Sequence, residues 1–105
     1  MPLFSLVDQN FRQGIVSAPV VFVDFYSLTC GPCAVFRPIF ERVAQRHPGA
    51  GFGVVNYEQA PDEVETLDIH SVPTLIVFRG GQEVQRHTGV MNEAQFETFV
   101  RGYGV

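Results

Sequence analysis

The stretch Val20-Val21-Phe22-Val23-Asp24-Phe25, followed within a few residues by Thr29-Cys30-Gly31-Pro32-Cys33, decides how the rest of this chain is read. Its first part is apolar at nearly every position. That pattern predicts a central strand buried on both faces, as in a sheet covered by helices. Its second part holds both cysteines of the chain, spaced C-x-x-C, directly before a segment with helical periodicity. Two thiols so placed can close a disulfide with each other. Free backbone N–H groups and the dipole at a helix start also favour a thiolate there. A disulfide that closes so short a loop removes little entropy from the unfolded chain, so the pair reads as a redox centre rather than a staple.

Downstream, a helix should open near Pro32, a residue suited to a first turn because it has no N–H to leave unpaired. Val35, Phe36, Ile39, Phe40 and Val43 form its expected apolar stripe, with Arg37, Glu41 and Gln45 toward water. Arg42, Arg46 and His47 fall near its C-terminal end, where cations suit the dipole. Pro38 should kink it, and Pro48-Gly49 ends it. His47 and His87 read as surface positions and His70 as an exposed loop residue.

Upstream, Leu3-Phe4-Ser5 reads as a short edge strand. Asp8 to Val16 reads as an amphipathic helix with Asp8 as N-cap and Phe11, Ile15 and Val16 on one face, although Gly14 sits poorly in it. Past the cysteines come a strand at 52–57, a short helix at 60–67 and a strand at 74–78. Gly80-Gly81 then forms a hairpin turn into a strand at 82–88. Gly89 breaks that strand, and a last helix from about Asn92 to Arg101 carries Phe96, Phe99 and Val100 inward. The order β-α-β-α-β-α-β-β-α predicts an α/β fold: one domain over residues 1–105, with a central mixed sheet and helices on both faces. The cysteine turn would follow the C-terminal end of a central strand, where open α/β sheets place their sites.

Composition narrows the partners. The chain has 105 residues, 46% of them hydrophobic, with ten Phe and no Trp, enough to bury a core without cross-links or metals. A net charge of −4 with no block of like charge argues against nucleic acid and anionic membrane as partners. The apolar runs are too short to span a bilayer. The first residues carry no positive charge ahead of a long apolar stretch, so no export signal is read there. Two cysteines without such a signal point to a reducing compartment, the cytoplasm, where a C-x-x-C is more often catalytic than structural. A zinc site is not expected, because there is no second C-x-x-C and no spaced His pair. Asp24 is the other anomaly, a carboxylate in an apolar strand; burial without a cation would raise its pKa.

Together these landmarks identify the resemblance. Val23-Asp24-Phe25, Cys30-Gly31-Pro32-Cys33, Pro38, Val72-Pro73-Thr74, the Phe78 to Gly81 turn and Gly89 make the chain look like a thioredoxin over essentially its whole length. The resemblance implies a mixed sheet of four or more strands flanked by four helices, and dithiol–disulfide exchange on protein substrates with no cofactor beyond the Cys30–Cys33 pair. It also implies a cis peptide bond at Pro73 beside the sulfurs. Cys30 matches the exposed attacking thiol, Cys33 the buried resolving thiol, and Asp24 a buried acid that exchanges protons with Cys33. Val72 matches the residue whose backbone pairs with an extended substrate segment. Gly89 and Val90 match part of the apolar surface around the thiols, which with Thr29, Gly31, Pro32 and Pro73 makes the expected substrate-contact set. A thioredoxin reductase or similar electron donor is the implied partner, and a monomer the implied state.

The chain departs from the family pattern at four places. Thr29 stands where a Trp usually precedes the first cysteine, and Ala34 replaces a common Lys after the second. Val54 occupies a position where a Lys often pairs with the buried Asp. His70-Ser71 precede Pro73 where a Gly is frequent. These changes bear on partner recognition and thiolate pKa. They leave open a partner-specific oxidoreductase or isomerase, and an interaction module with idle cysteines.

Overall fold

A computed structural model describes residues 3–105. The chain runs β1 (Leu3–Ser5), α1 (Phe11–Ile15), β2 (Val20–Tyr26), α2 (Gly31–Gln45), β3 (Gly51–Asn56), α3 (Pro61–Thr66), β4 (Thr74–Arg79), β5 (Gln82–Thr88) and α4 (Glu93–Arg101), with a 3-10 turn at Tyr57–Gln59 before α3. The element order is the expected one. The five strands form one sheet in the order β1-β3-β2-β4-β5. β1 and β2 both run parallel to β3, whereas β4 is antiparallel to β2 and β5 to β4.

β2 is the middle strand, paired on both edges and buried from Val20 to Phe25. Side chains alternate across a strand, so β2 feeds two cores. Phe22 joins Phe36 and Phe40 of α2, Phe52 of β3, and Phe96 and Val100 of α4 on one face. Val21, Val23 and Phe25 join Phe11 and Ile15 of α1 and Ile76 and Phe78 of β4 on the other. The first core is aromatic: the Phe40 and Phe96 rings stack at 5.5 Å, and Phe22 stacks on Phe52 at 5.1 Å.

Two residues expected on buried helix faces lie outside. Val35 of α2 and Val16 after α1 are each 58% exposed. The inward stripe of α2 is instead Cys33, Phe36, Phe40, Val43 and Ala44, the i, i+3, i+4 pattern begun at the second cysteine. α2 continues through Pro38, which falls inside it. His47 is also buried, not superficial: its ring sits between Glu97 Oε2 at 2.7 Å and the Val105 main-chain oxygen at 2.8 Å. His70 is exposed, beside Asp68.

Glycines are placed by need at two sites. A Cβ on Gly14 would lie 2.3 Å from Leu6 Cδ2, so close packing of α1 on the strand segment accounts for a residue that weakens the helix. Gly80 and Gly81, with φ of +60° and +81°, supply the positive φ at both central positions that a two-residue type I′ hairpin requires.

Asp8 does not cap α1. That helix starts at Phe11 after Asn10, and the Asp8 carboxylate reaches across to α3. It accepts from the N–H of Asp62 at 3.2 Å and of Glu63 at 3.1 Å. Ala60, the residue in the N-cap position of α3, has no side chain able to do this, so the cap is delivered from a distant part of the chain. Asp8→Ala should therefore lower stability by about 1 kcal/mol in urea unfolding and speed amide exchange at Asp62 and Glu63. A variant with unchanged exchange at those two amides would remove the cap from the account.

Candidate active site

The C-terminal end of β2 carries the chain over Ser27–Thr29 into α2, whose N-cap is Cys30 in an extended conformation. The Cys33 N–H donates to Cys30 Sγ at 3.1 Å, and the Ala34 N–H to the Cys30 carbonyl at 3.2 Å. The first sulfur thus sits where an N-cap oxygen would, facing the positive end of a 15-residue helix. The two cysteines are joined as a disulfide with Cα atoms 5.2 Å apart. Cys33 is 3% exposed, while Cys30 is partly open to solvent. An incoming group meets Cys30 first.

A second segment approaches from the start of β4. The Val72–Pro73 bond is cis, as the resemblance implies, and the Val72 carbonyl oxygen lies 3.7 Å from Cys30 Sγ. The Thr74 hydroxyl donates to the Ser71 carbonyl at 2.6 Å, and the Gly89 N–H to the Pro73 carbonyl at 2.9 Å, tying this loop to the end of β5. Gly89 has a φ of +96°, a conformation that favours glycine. Gly31, Pro32, Thr29 and Val90 are exposed on the same rim of the molecule, and Val72 is half-buried. Thr29 is held by Ser27, whose hydroxyl lies 3.2 Å from its own and accepts from its N–H at 3.3 Å. Leu28 is 76% exposed beside it. With no aromatic at Thr29, Leu28 is the large apolar side chain that this loop presents to solvent.

Asp24 is fully buried in β2, paired in register with Val54 on one side and Leu75 on the other. Neither neighbouring strand offers a charge at these positions. The expectation of burial without a cation nevertheless needs correction, because Arg37 of α2 does not face water. Its Nε lies 3.8 Å from Asp24 Oδ2, and its guanidinium carbon 4.3 Å from the centre of the Tyr26 ring. Periodicity contained the signal: Arg37 is one helical turn after the buried Cys33. Neither carboxylate oxygen nor Arg37 Nε has a hydrogen-bond partner among the described residues. Burial raises the Asp24 pKa from its ordinary 3.8 to about 7, with Arg37 acting in the opposite sense. Among the described residues no group of three His, Cys, Asp or Glu is arranged to hold a metal ion.

The thioredoxin family model matches residues 2–102. The chain belongs to the thioredoxin family. It is 35% identical over 94 residues to a thioredoxin of Alicyclobacillus acidocaldarius, covering 89% of this chain and 90% of the relative. It is 38% identical over 85 residues to a thioredoxin of Chlamydia pneumoniae, covering 81% and 82%. A Plasmodium falciparum thioredoxin structure superposes with a TM-score of 0.85 at 25% identity, covering 96% of this chain and 97% of that one. A mutant thioredoxin from Halobacterium salinarum gives 0.89 at 22% identity over 96% and 89%, a likeness of fold. With its Cys30–Cys33 pair, this thioredoxin-family protein is a dithiol–disulfide oxidoreductase, a protein-disulfide reductase acting through thiol–disulfide exchange.

The raised pKa of Asp24 has a consequence for stability. Well below pH 3.8 the carboxyl is protonated in both folded and unfolded chains, and folding is unaffected by its charge. As pH rises toward 7 the unfolded chain ionises while the folded one holds the proton, so stability falls through that window and levels off above it. The loss is on the order of 4 kcal/mol, at roughly 1.4 kcal/mol per pH unit over that window. Asp24→Asn should abolish this fall, so the difference in urea-unfolding free energy between variant and wild type should grow from pH 4 to pH 7. Parallel stability curves for the two proteins would contradict the shift.

Proposed function

We propose that the protein reduces disulfides of protein substrates with Cys30 as the attacking and Cys33 as the resolving sulfur, and with Asp24 moving the proton of Cys33. The observation that carries this is the Cys33 N–H aimed at Cys30 Sγ from the first turn of α2. The same donor that contacts the sulfur of the disulfide would hold a thiolate, and exchange needs a thiolate near ambient pH.

The reduced protein starts from a Cys30 thiolate. It attacks one sulfur of a substrate disulfide; the Cys30–substrate bond forms as the substrate bond breaks, and one substrate thiolate leaves. The Cys33 thiol then gives its proton to the Asp24 carboxylate and attacks Cys30 Sγ. The Cys30–Cys33 bond forms, the second substrate thiolate leaves, and two electrons have passed from the protein to the substrate. Val72 would pair through its backbone with an extended substrate segment, with Pro73 beneath it. Thr29, Gly31, Pro32, Gly89 and Val90 would complete the contact rim. A dithiol donor, a thioredoxin reductase or its equivalent, restores the thiols.

The working form is a cytoplasmic monomer. A reducing compartment keeps such a pair in turnover rather than permanently closed. No described helix is long and apolar enough to cross a membrane.

Cys33→Ser should accumulate a covalent adduct with an oxidised protein substrate through Cys30, seen as a dithiothreitol-sensitive band, and Cys30→Ser should give neither adduct nor turnover. The Cys30–Cys33 reduction potential should fall near the about −270 mV of thioredoxins. A value between about −200 and −120 mV would instead mark an isomerase or oxidant.

A further inference from the structure

Tyr26 and Asp24 are two residues apart in β2 and share one face of the strand. A single guanidinium lies against both: Arg37 Nε is 3.8 Å from Asp24 Oδ2, and its central carbon sits over the Tyr26 ring, 4.3 Å from the ring centre. A planar, delocalised cation can stack and pair at once, which an ammonium cannot do in the same geometry. Tyr26 and Arg37 also line a cleft of about 190 Å³ together with Ser27, Leu28, Cys30, Cys33 and Ala34. Asp24 is not in that lining and has no exposed surface, whereas the Arg37 side chain is 30% exposed. Arg37 therefore stands between the buried carboxylate and the cleft that opens on both sulfurs.

Other charges facing Asp24 are few. Val54 of β3 and Leu75 of β4 flank it, and His87 of β5 lies one strand further out, opposite Leu75. α2 contributes Arg37 and the disulfide-bonded Cys33. The acids of α4 are occupied elsewhere: Glu93 pairs with Arg42 and Arg46, and Glu97 with Arg46, His47 and Arg101. Among the described residues, Arg37 is the one cation in contact with Asp24.

We propose that Arg37, clamped on Tyr26, is the positioning residue that keeps Asp24 available as a carboxylate base for Cys33. The inference rests on the proton-transfer role of Asp24. It places the compensating cation on helix α2, one turn beyond the resolving cysteine, rather than on the strand beside Asp24. The proton accounting is that of the resolving step: the Cys33 thiol proton passes to Asp24, the Cys30–Cys33 bond forms and the leaving thiolate departs. Arg37 gives up no proton.

The test uses three variants, Arg37→Gln, Arg37→Lys and Tyr26→Leu, with two readouts. The first is the pH titration of the Asp24 carboxyl carbon by NMR in the oxidised protein. The second is single-turnover reaction of the reduced protein with 5,5′-dithiobis(2-nitrobenzoate), in which Cys30 attack releases the first chromophore and Cys33 attack the second. Arg37→Gln should raise the Asp24 midpoint by about one pH unit, the lower end of what an opposite charge at this distance exerts. The second phase, relative to the first, should slow roughly 3- to 10-fold at pH 7 and recover as pH rises through the new midpoint. Arg37→Lys should restore part of both effects, and Tyr26→Leu should reproduce a smaller version of the Gln phenotype. An Asp24 midpoint unmoved in Arg37→Gln overturns the proposal while leaving the Asp24 role intact. A second phase in Asp24→Asn that matches wild type at every pH overturns the Asp24 role itself. A defect of Arg37→Gln that persists in the Asp24→Asn background shows that Arg37 acts on another group, and also overturns the proposal.

Discussion

β2 is hydrogen-bonded along both edges and covered on both faces, and every other part of the molecule takes its position from that strand. Its odd and even residues belong to different cores, so it has no face on which to carry a polar group without burying it. Asp24 is nevertheless there. The cation nearest it, Arg37, and the Tyr26 ring under that cation both line the cleft that the two cysteines share. A destabilising group in the most constrained strand is a common mark of a site whose chemistry requires it.

The helix that presents the sulfurs is fixed along its length by unequal means. Phe36 and Phe40 pack against Phe96 at 5.2 and 5.5 Å, and Phe40 meets Phe52 edge-on at 5.5 Å. Each such ring is worth on the order of 1.5–3 kcal/mol of burial. The Arg42 and Arg46 pairs with Glu93 and Glu97 lie on the exposed seam between α2 and α4, where solvent screens them. The rings thus set the depth of the helix, and the ion pairs add directional restraint. The first turn, with Gly31 and Pro32 exposed, contributes no ring to this packing. Its anchors are local, the Cys33 N–H contact and the disulfide.

What could be read from the sequence was what local pattern encodes. The apolar run at 20–25, the Gly80-Gly81 turn and the cysteine spacing each carry their own physical reason, and each lies where expected. What could not be read depends on partners distant along the chain. Asp8 looked like a cap for the helix that follows it, but its amide partners are at 62 and 63. His47 looked like a helix-end cation, yet it is enclosed by Glu97 and Val105. The charge of Arg37 points it to water, although a turn counted from Cys33 places it on the inward side. Val35 failed in the opposite direction: its hydrophobicity suggested core, while the helical phase set by Cys33, Phe36 and Phe40 turns it outward.

The unequal exposure of the two sulfurs has a kinetic meaning. With Cys33 3% exposed, Cys30 is the sulfur open to a partner, and on the proposed mechanism the sulfur that releases a partner is already in the same molecule. With Cys33 as the resolving sulfur proposed above, adduct formation would be second order and escape first order, because the releasing thiol is intramolecular. Dilution therefore changes how often the protein captures a target, not how long it holds one. On the proposed order of the sulfurs, that dwell time is a property of α2 and the groups beneath it.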